Sequence, residues 1–325
     1  MRSTHDIHNH NLFSQCCHDH KANVKAMFAE EERLGISVYG LSNHTWDETV
    51  KGGSGWYRHQ SVAHSLEAKY AFETYKGPLK LLFGVETEYA AMSDILGMSY
   101  ENAMKFDYLL VPHSHNHMKN FVMADYPDVT KARENLANEL CKKFPEISAD
   151  NARAIAASAP EKTLAPFMPE WRTDRAAYVI DQMLTSFASL MENKDFLRIA
   201  ASKPVSVAHP FAPGAMPMDQ RGSTTLRLVN EHSDELLKLF KKAASLNIPM
   251  EINCSAVTEC GGYDFNDEHP SVRLFKLAKQ AGCKFTFGTD SHSVAGLSLI
   301  NVSDSFTNAC GITESDVADW ECLKY

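Results

Sequence analysis

Short apolar runs alternate with helix-like stretches along this chain, and each run closes on a histidine or a carboxylate; no other feature constrains the fold so strongly. The runs are Thr4–Ile7, Ile36–Leu41, Leu79–Val85, Tyr108–Val111, Val205–Ala208, Ile248–Ile252 and Lys284–Phe287. β-Branched and aromatic residues dominate them, and strand signals that alternate with helical stretches predict a parallel α/β fold. Between the first two runs, Val24, Met27, Phe28 and Leu34 stand near helical spacing and Gly35 follows as a C-cap. The charged stretch Glu30–Arg33 reads as the solvated face of that helix. Residues 118–201 differ. They are rich in helix formers, broken by Pro145, Pro160, Pro166 and Pro169, and predict helices inserted between strands as a wall or lid.

The residues that end the runs carry the chemistry. Asp6-Ile7-His8-Asn9-His10 ends the first, and Gly40 to His44 the second. Glu86 ends the third, His113, His115 and His117 the fourth, and His209 the fifth. Glu251 to Asn253 ends the sixth, and Asp290-Ser291-His292 the seventh. In an α/β barrel the strand C-termini open on one face, where the active site forms, so these side chains are predicted to converge in one cup. Residues two apart in a strand point the same way, which lets His8 and His10 face one ion, and Asp290 and His292 likewise. Imidazole mixed with carboxylate suits Zn, Mn or Fe better than Mg or Ca, which prefer oxygen alone.

Composition narrows the classes. The chain has 325 residues, 44% of them hydrophobic, enough for one barrel-sized core. A formal charge of −9 disfavours duplex nucleic acid as the main partner and leaves a small anionic substrate open. The start, Met1-Arg2-Ser3-Thr4, runs into polar sequence without a signal-peptide core, and no apolar stretch approaches the roughly 18 residues of a membrane helix. Eight cysteines are scattered without a Cys-x-x-Cys pair, so a cytoplasmic protein with reduced thiols is expected, Cys16 and Cys17 being ordinary thiols. Five of the fifteen histidines fall in the first twenty residues, where an even spread would place about one; other residues interleave them, so they are not a tag. His59, His64, His232 and His269 read as ordinary surface or core residues. Lys21, Arg58, Arg172 and Arg221 are candidate phosphate clamps, with plain surface charge the simpler reading. Trp46 and the run Trp56-Tyr57-Arg58-His59 follow His44 and either touch a substrate or pack the rim.

In order along the chain, Asp-Ile-His-Asn-His, Leu-Ser-Asn-His, Gly-Val-Glu, a histidine after Phe-Asp-Tyr-Leu-Leu-Val, Ala-His-Pro and Gly-Thr-Asp-Ser-His resemble the PHP (polymerase and histidinol phosphatase) superfamily. The resemblance covers most of the chain. It implies a distorted (β/α)7 TIM-like barrel, here a single domain over 1–325 with the helical insertion at 118–201, holding two or three divalent metal ions. It also implies hydrolysis of a phosphate ester on a small phosphorylated substrate. Carried over, His8, His10, Glu86 and Asp290 look like the ligands of one ion. Glu86 would bridge to a second ion held by His209 and a histidine of the 113–117 cluster, taken as His115. His44, His292 and a residue of the 16–20 region would hold a third. Where the superfamily places Asp or His in the first loop, this chain has Gln15 and Cys16; His18 is favoured for that role, with Asp19 and Cys16 as alternatives. Glu86, Asp290 and His292 are the expected catalytic residues. The rivals are a phosphodiesterase or nuclease of the same superfamily, a TIM-barrel amidohydrolase, and a metal-binding module without catalysis.

Overall fold

The computed structural model describes residues 1–170 and 172–324. It has an α/β fold in which strands stand in all seven predicted runs. These strands are β1 (His5–Asp6), β2 (Val38–Leu41), β3 (His44–Thr45), β4 (Lys80–Phe83), β5 (Val85–Thr87), β8 (Leu109–Pro112), β9 (Val205–Ala208), β10 (Met250–Asn253) and β11 (Phe285–Gly288). Two of the runs carry two short strands each, β2 with β3 and β4 with β5, so the chain continues past the predicted end toward His44 and Glu86. A small antiparallel pair, β6 (Tyr89–Ala90) and β7 (Ile95–Leu96), was outside the sequence reading.

The pairings are parallel in two sheets, β1-β2-β4 and β11-β10-β9-β8-β5-β3. Backbone bonds join the sheets on both sides. Glu86 N–H, on β5, donates to the Ser42 carbonyl just past β2 at 3.1 Å, and Ile7 N–H donates to Phe287 at 3.0 Å. Asn9 and Ser291 form a further parallel bridge between the first and last strand ends. Buried Asp6 reinforces that seam by accepting from the Thr289 N–H at 3.0 Å and its hydroxyl at 2.8 Å.

Alternation along the strands sorts the core into two layers. Ile7, Val38, Leu82, Tyr108, Leu110 and Ala208 form one buried cluster, closed below by Trp320, Cys322 and Leu323. The intervening residues, among them Tyr39, Leu41, Phe83, Val85, Leu109, Val111, Val205 and Val207, face the larger core shared with the helices. Helix Val24–Leu34 forms where its apolar spacing put it; Asn23 caps its start and Gly35, in the left-handed region, its end.

The segment 118–201 is helical but is not all wall. Helix Arg175–Leu190 buries Val179, Ile180, Met183, Leu184, Phe187 and Leu190, and the Ser186 hydroxyl donates to the His113 carbonyl at 2.9 Å. It therefore packs on the sheet as the crossover helix between β8 and β9 must. Helices Pro127–Lys143 and Ala149–Ser158 pack on each other beside it. No helix among the described residues is long and apolar enough to cross a membrane.

Candidate metal centre

Every strand that ends at the common face sends a polar side chain into one buried cup. Glu86, on β5, lies at its middle and is 1% exposed. Its two oxygens face different histidines. Oε2 lies 3.3 Å from His8 Nε2, 3.4 Å from His10 Nε2 and 3.1 Å from His44 Nδ1. Oε1 lies 3.0 Å from His209 Nε2 and 3.6 Å from His115 Nε2. Asp290 Oδ1 stands 3.1 Å from His10 Nε2 and 3.5 Å from His8 Nε2, and Asn253 donates to its other oxygen at 3.2 Å.

The outer ring nitrogens are tied down, which turns the inner ones to the cup. His8 Nδ1 is 2.7 Å from Glu251, His115 Nδ1 is 2.6 Å from Glu88, and His209 Nδ1 is 3.1 Å from the Ser114 hydroxyl, itself committed as a donor to the His209 carbonyl. His292 Nδ1 donates to the Asp290 carbonyl at 2.9 Å. A metal-ligating imidazole is held in this way, its second nitrogen donating to a carboxylate, hydroxyl or carbonyl so that the first presents a lone pair. The donor set itself fits cations. His8 Nε2 and His10 Nε2 sit 3.1 Å apart, where two bare lone pairs repel unless a proton or a metal ion lies against them. His44 Nδ1 is buried without a hydrogen-bond partner.

Among the described residues, three groups of donors could each hold an ion: His8, His10 and Asp290; Glu86, His115 and His209; and His10, Cys16, His44 and His292. The backbone works to place them. Asp290 (φ 55°) and His209 (φ 27°) take left-handed conformations, at a cost on the order of 1–3 kcal/mol each. Asp290 N–H donates to the His8 carbonyl and His209 N–H to Glu251, each at 2.7 Å, which holds those turns. At Gly288 a Cβ would come within 2.2 Å of the His8 Cβ, so the chain needs glycine where β11 passes beneath the cup.

Charge follows the same arrangement. Burial works against a charged His8, yet the carboxylates of Glu251, Asp290 and Glu86 outweigh it and raise its pKa. His10 is raised in the same way by Asp290 and Glu86. Against burial, Glu88 lifts His115 to about 9. Burial pushes His44 well below the ordinary imidazole range, and pushes His292 down to about 4. Burial would raise the carboxyls of Glu86 and Asp290, but the surrounding imidazoles hold both well below the usual range.

The cup opens into a cavity of roughly 520 Å³ lined by Cys16, His44, Trp56, Glu86, His115, His117, Lys119, Asp290 and His292, among others. Of the residues singled out in the sequence, His8, His10, His44, Glu86, His115, His209, Asp290 and His292 come together here. His18 does not. It is exposed, and Cys16 stands in the donor group instead. Ser14 accepts from the His44 N–H at 2.9 Å and pins the turn just before Cys16. His113 is buried against Phe187 and Phe211 and accepts from the Phe211 N–H, and burial lowers it to about 3. The candidate clamps Lys21, Arg58 and Arg172 are exposed, and Arg221 pairs with Glu259. Trp56 packs edge-on to His44 at the cavity, whereas Trp46 is buried in the rim.

Sequence reasoning placed Glu251 at the cup without a role, and missed Glu88 and Lys119. The first two sit two residues from, or level with, recognised strand ends, and only the fold shows that they grip histidines. Replacing Glu251 by glutamine removes the charge that holds His8 and is expected to weaken metal binding about 10–100-fold, measured by competition with a chromophoric chelator. Unchanged affinity would reduce Glu251 to a packing residue.

No protein-family model matches the chain, and no curated protein matches it by sequence. Among solved structures, a histidinol phosphate phosphatase from Lactococcus lactis, complexed with zinc, L-histidinol and phosphate, superposes with a TM-score of 0.53 at 13% identity, over 98% of this chain and 97% of its own. A dihydropyrimidinase from Brevibacillus agri aligns with a TM-score of 0.37 at 14% identity, over 90% of this chain and 58% of its own, too low a score to bear on the fold. From first strand to last, the chain has the fold of a histidinol phosphate phosphatase.

Proposed function

We propose that this chain is a metal-dependent phosphomonoesterase with a di- or trinuclear centre. The observation that carries the reading is Glu86, whose two oxygens face two separate sets of imidazoles, as a carboxylate bridging two ions must. His8, His10 and Asp290 would hold one ion of the pair, and His115 and His209 the other. The resemblance in motif order and the zinc-, histidinol- and phosphate-bound structural neighbour support the same assignment. When bound, divalent ions supply Lewis acidity, making hydroxide available near neutral pH and neutralising charge on phosphoryl oxygens. The protein's own groups set the rest. Asp290 and His292 are open to the cavity, with side chains 23% and 37% exposed, and Asp290, whose Oδ2 accepts from Asn253, is placed to take a proton there. The two sheets, bonded at both seams around an inner cluster, support one distorted (β/α)7 barrel over the whole chain, with residues 118–201 supplying its crossover helix and a wall. Eight free cysteines fit a reducing compartment such as the cytoplasm.

Lys119 serves this reading as the phosphate-facing cation. It lines the cavity, its ammonium lies 4.2 Å over the Tyr126 ring, and it makes no ion pair among the described residues. Burial lowers it to about 8, which leaves it charged at neutral pH. Lys119→Met is expected to raise KM for a phosphomonoester about tenfold with metal content unchanged, since a hydrogen bond to a charged group contributes about 1.5–3 kcal/mol. An unchanged KM removes Lys119 from the site.

The reading is tested on purified protein by metal analysis and by turnover of histidinol phosphate, sugar phosphates and nucleotides, beside a phosphodiester and amide and lactone substrates. Phosphate release from a monoester, abolished by chelation and restored by zinc or manganese, is the expected result. Full turnover by metal-free protein, or turnover of the amide or lactone alone, would overturn it.

A further inference from the structure

Among the described residues, the third donor group is the one that contains a thiol. Sγ of Cys16 and one nitrogen each of His10, His44 and His292 all lie within 4.8 Å of one another. The loop that carries Cys16 is fixed at several points. Ser14 N–H donates to the Asn11 carbonyl at 2.8 Å, Cys17 N–H to the Ser14 carbonyl at 3.0 Å, and Gln15 N–H to the Gln60 side chain at 3.0 Å. Cys17 is spent elsewhere, its thiol donating to the His292 carbonyl at 3.2 Å. A second observation is independent of the sulfur: His44 is 7% exposed, and its Nδ1, 3.1 Å from Glu86 Oε2, makes no hydrogen bond. His10 belongs to two donor groups and can serve the inner ion. Cys16, His44 and His292 line the open cavity, and His10 does not.

We infer that the ion at the cavity mouth is held by the Cys16 thiolate with His44 and His292, which makes this a soft, zinc-selecting position with one open coordination place. The inference rests on the metal-centre reading above. Three protein ligands with a free fourth place describe a catalytic rather than a structural zinc site. Thiolate favours zinc over manganese, whereas the two inner positions, built from nitrogen and oxygen, discriminate less. On binding, the thiol releases its proton to solvent as sulfur donates an electron pair to the ion; no electron is transferred.

Cobalt(II) is the probe, because a thiolate ligand gives it a charge-transfer absorption in the near ultraviolet that imidazole and carboxylate do not. The full-length protein, stripped and reloaded with cobalt, is expected to show that band. Cys16→Ser and Cys16→Asp should lose it, while Cys17→Ser and His18→Ala should keep it. Cys16→Asp restores a charged donor, and in equilibrium dialysis it should shift one position from zinc toward manganese by about tenfold or more. Cobalt bound at full stoichiometry without the band, or a band that survives Cys16→Ser, overturns the thiolate assignment alone. Failure to bind cobalt at all would overturn the metal centre itself.

Discussion

Glu86→Gln is expected to release both ions of the bridged pair and to lower the catalytic rate by several orders of magnitude. The substitution keeps the shape of the side chain and removes its charge. That charge matters because two dications about 4 Å apart repel by on the order of 15 kcal/mol at an effective dielectric near 20, and a carboxylate between them is the group that offsets the repulsion. Glu86 is also the common partner of five histidines at 3.0 to 3.6 Å, so a neutral amide takes one anion away from each of them and the last one from His44 and His209. His44→Ala is the contrasting variant. It takes away one donor of the outer group and should leave the inner pair bound. Metal counting on both proteins, with near-ultraviolet circular dichroism to check folding, separates the cases. Full metal and activity in Glu86→Gln would mean that Glu86 only fills the cup and that the site is misassembled.

Much of this site was legible because strand ends are the part of an α/β sequence where period and polarity change together. His8, Glu86 and His209 each follow a short apolar run at once, and His10 and Asp290 come three residues after one, so the strand ends bring all five to the common face. Cys16 was legible only as an alternative, for the opposite reason. It sits in a loop whose path depends on Ser14 bonding to His44, a contact thirty residues away in sequence, and counting residues from His10 led instead to His18. The 113–117 cluster shows the same limit. Three histidines at spacing two look equivalent, but β8 ends at Pro112, and the turn beyond it buries His113 among Phe187 and Phe211 while His115 faces Glu86. The cations failed as a class because surface lysine and arginine carry no pattern; Lys119 is distinguished only by the cavity it lines. Helix Arg175–Leu190 was grouped with a wall because a crossover helix and an inserted helix share one periodicity, and only packing tells them apart.

Removing the metal should expose a proton linkage that differs across the cup. His8, His10 and His115 have raised pKa values, and His115, at about 9, holds a proton at pH 7 in the chelated protein. Glu86 and Asp290 are held low, as are His44 and His292, and these four have no side-chain proton to give up at that pH. A ligand must be deprotonated to bind, so reloading at pH 7 should release protons, that of His115 at the inner pair and that of the Cys16 thiol at the cavity mouth among them. Titration calorimetry in two buffers of different ionisation enthalpy measures that number, which should fall toward pH 9.5. Stability carries the same signature. A histidine whose folded pKa is raised stabilises the chelated protein fully below its unfolded value near 6.5, and that contribution is lost as pH rises through the folded value, about 9 for His115. For His115 alone this is on the order of 3 kcal/mol. The metal-loaded protein has no such protons to lose. The Tm gap between loaded and chelated protein should therefore widen by several degrees between pH 6 and pH 9. A gap independent of pH, together with metal binding that releases no protons, would place the three imidazoles outside the metal centre.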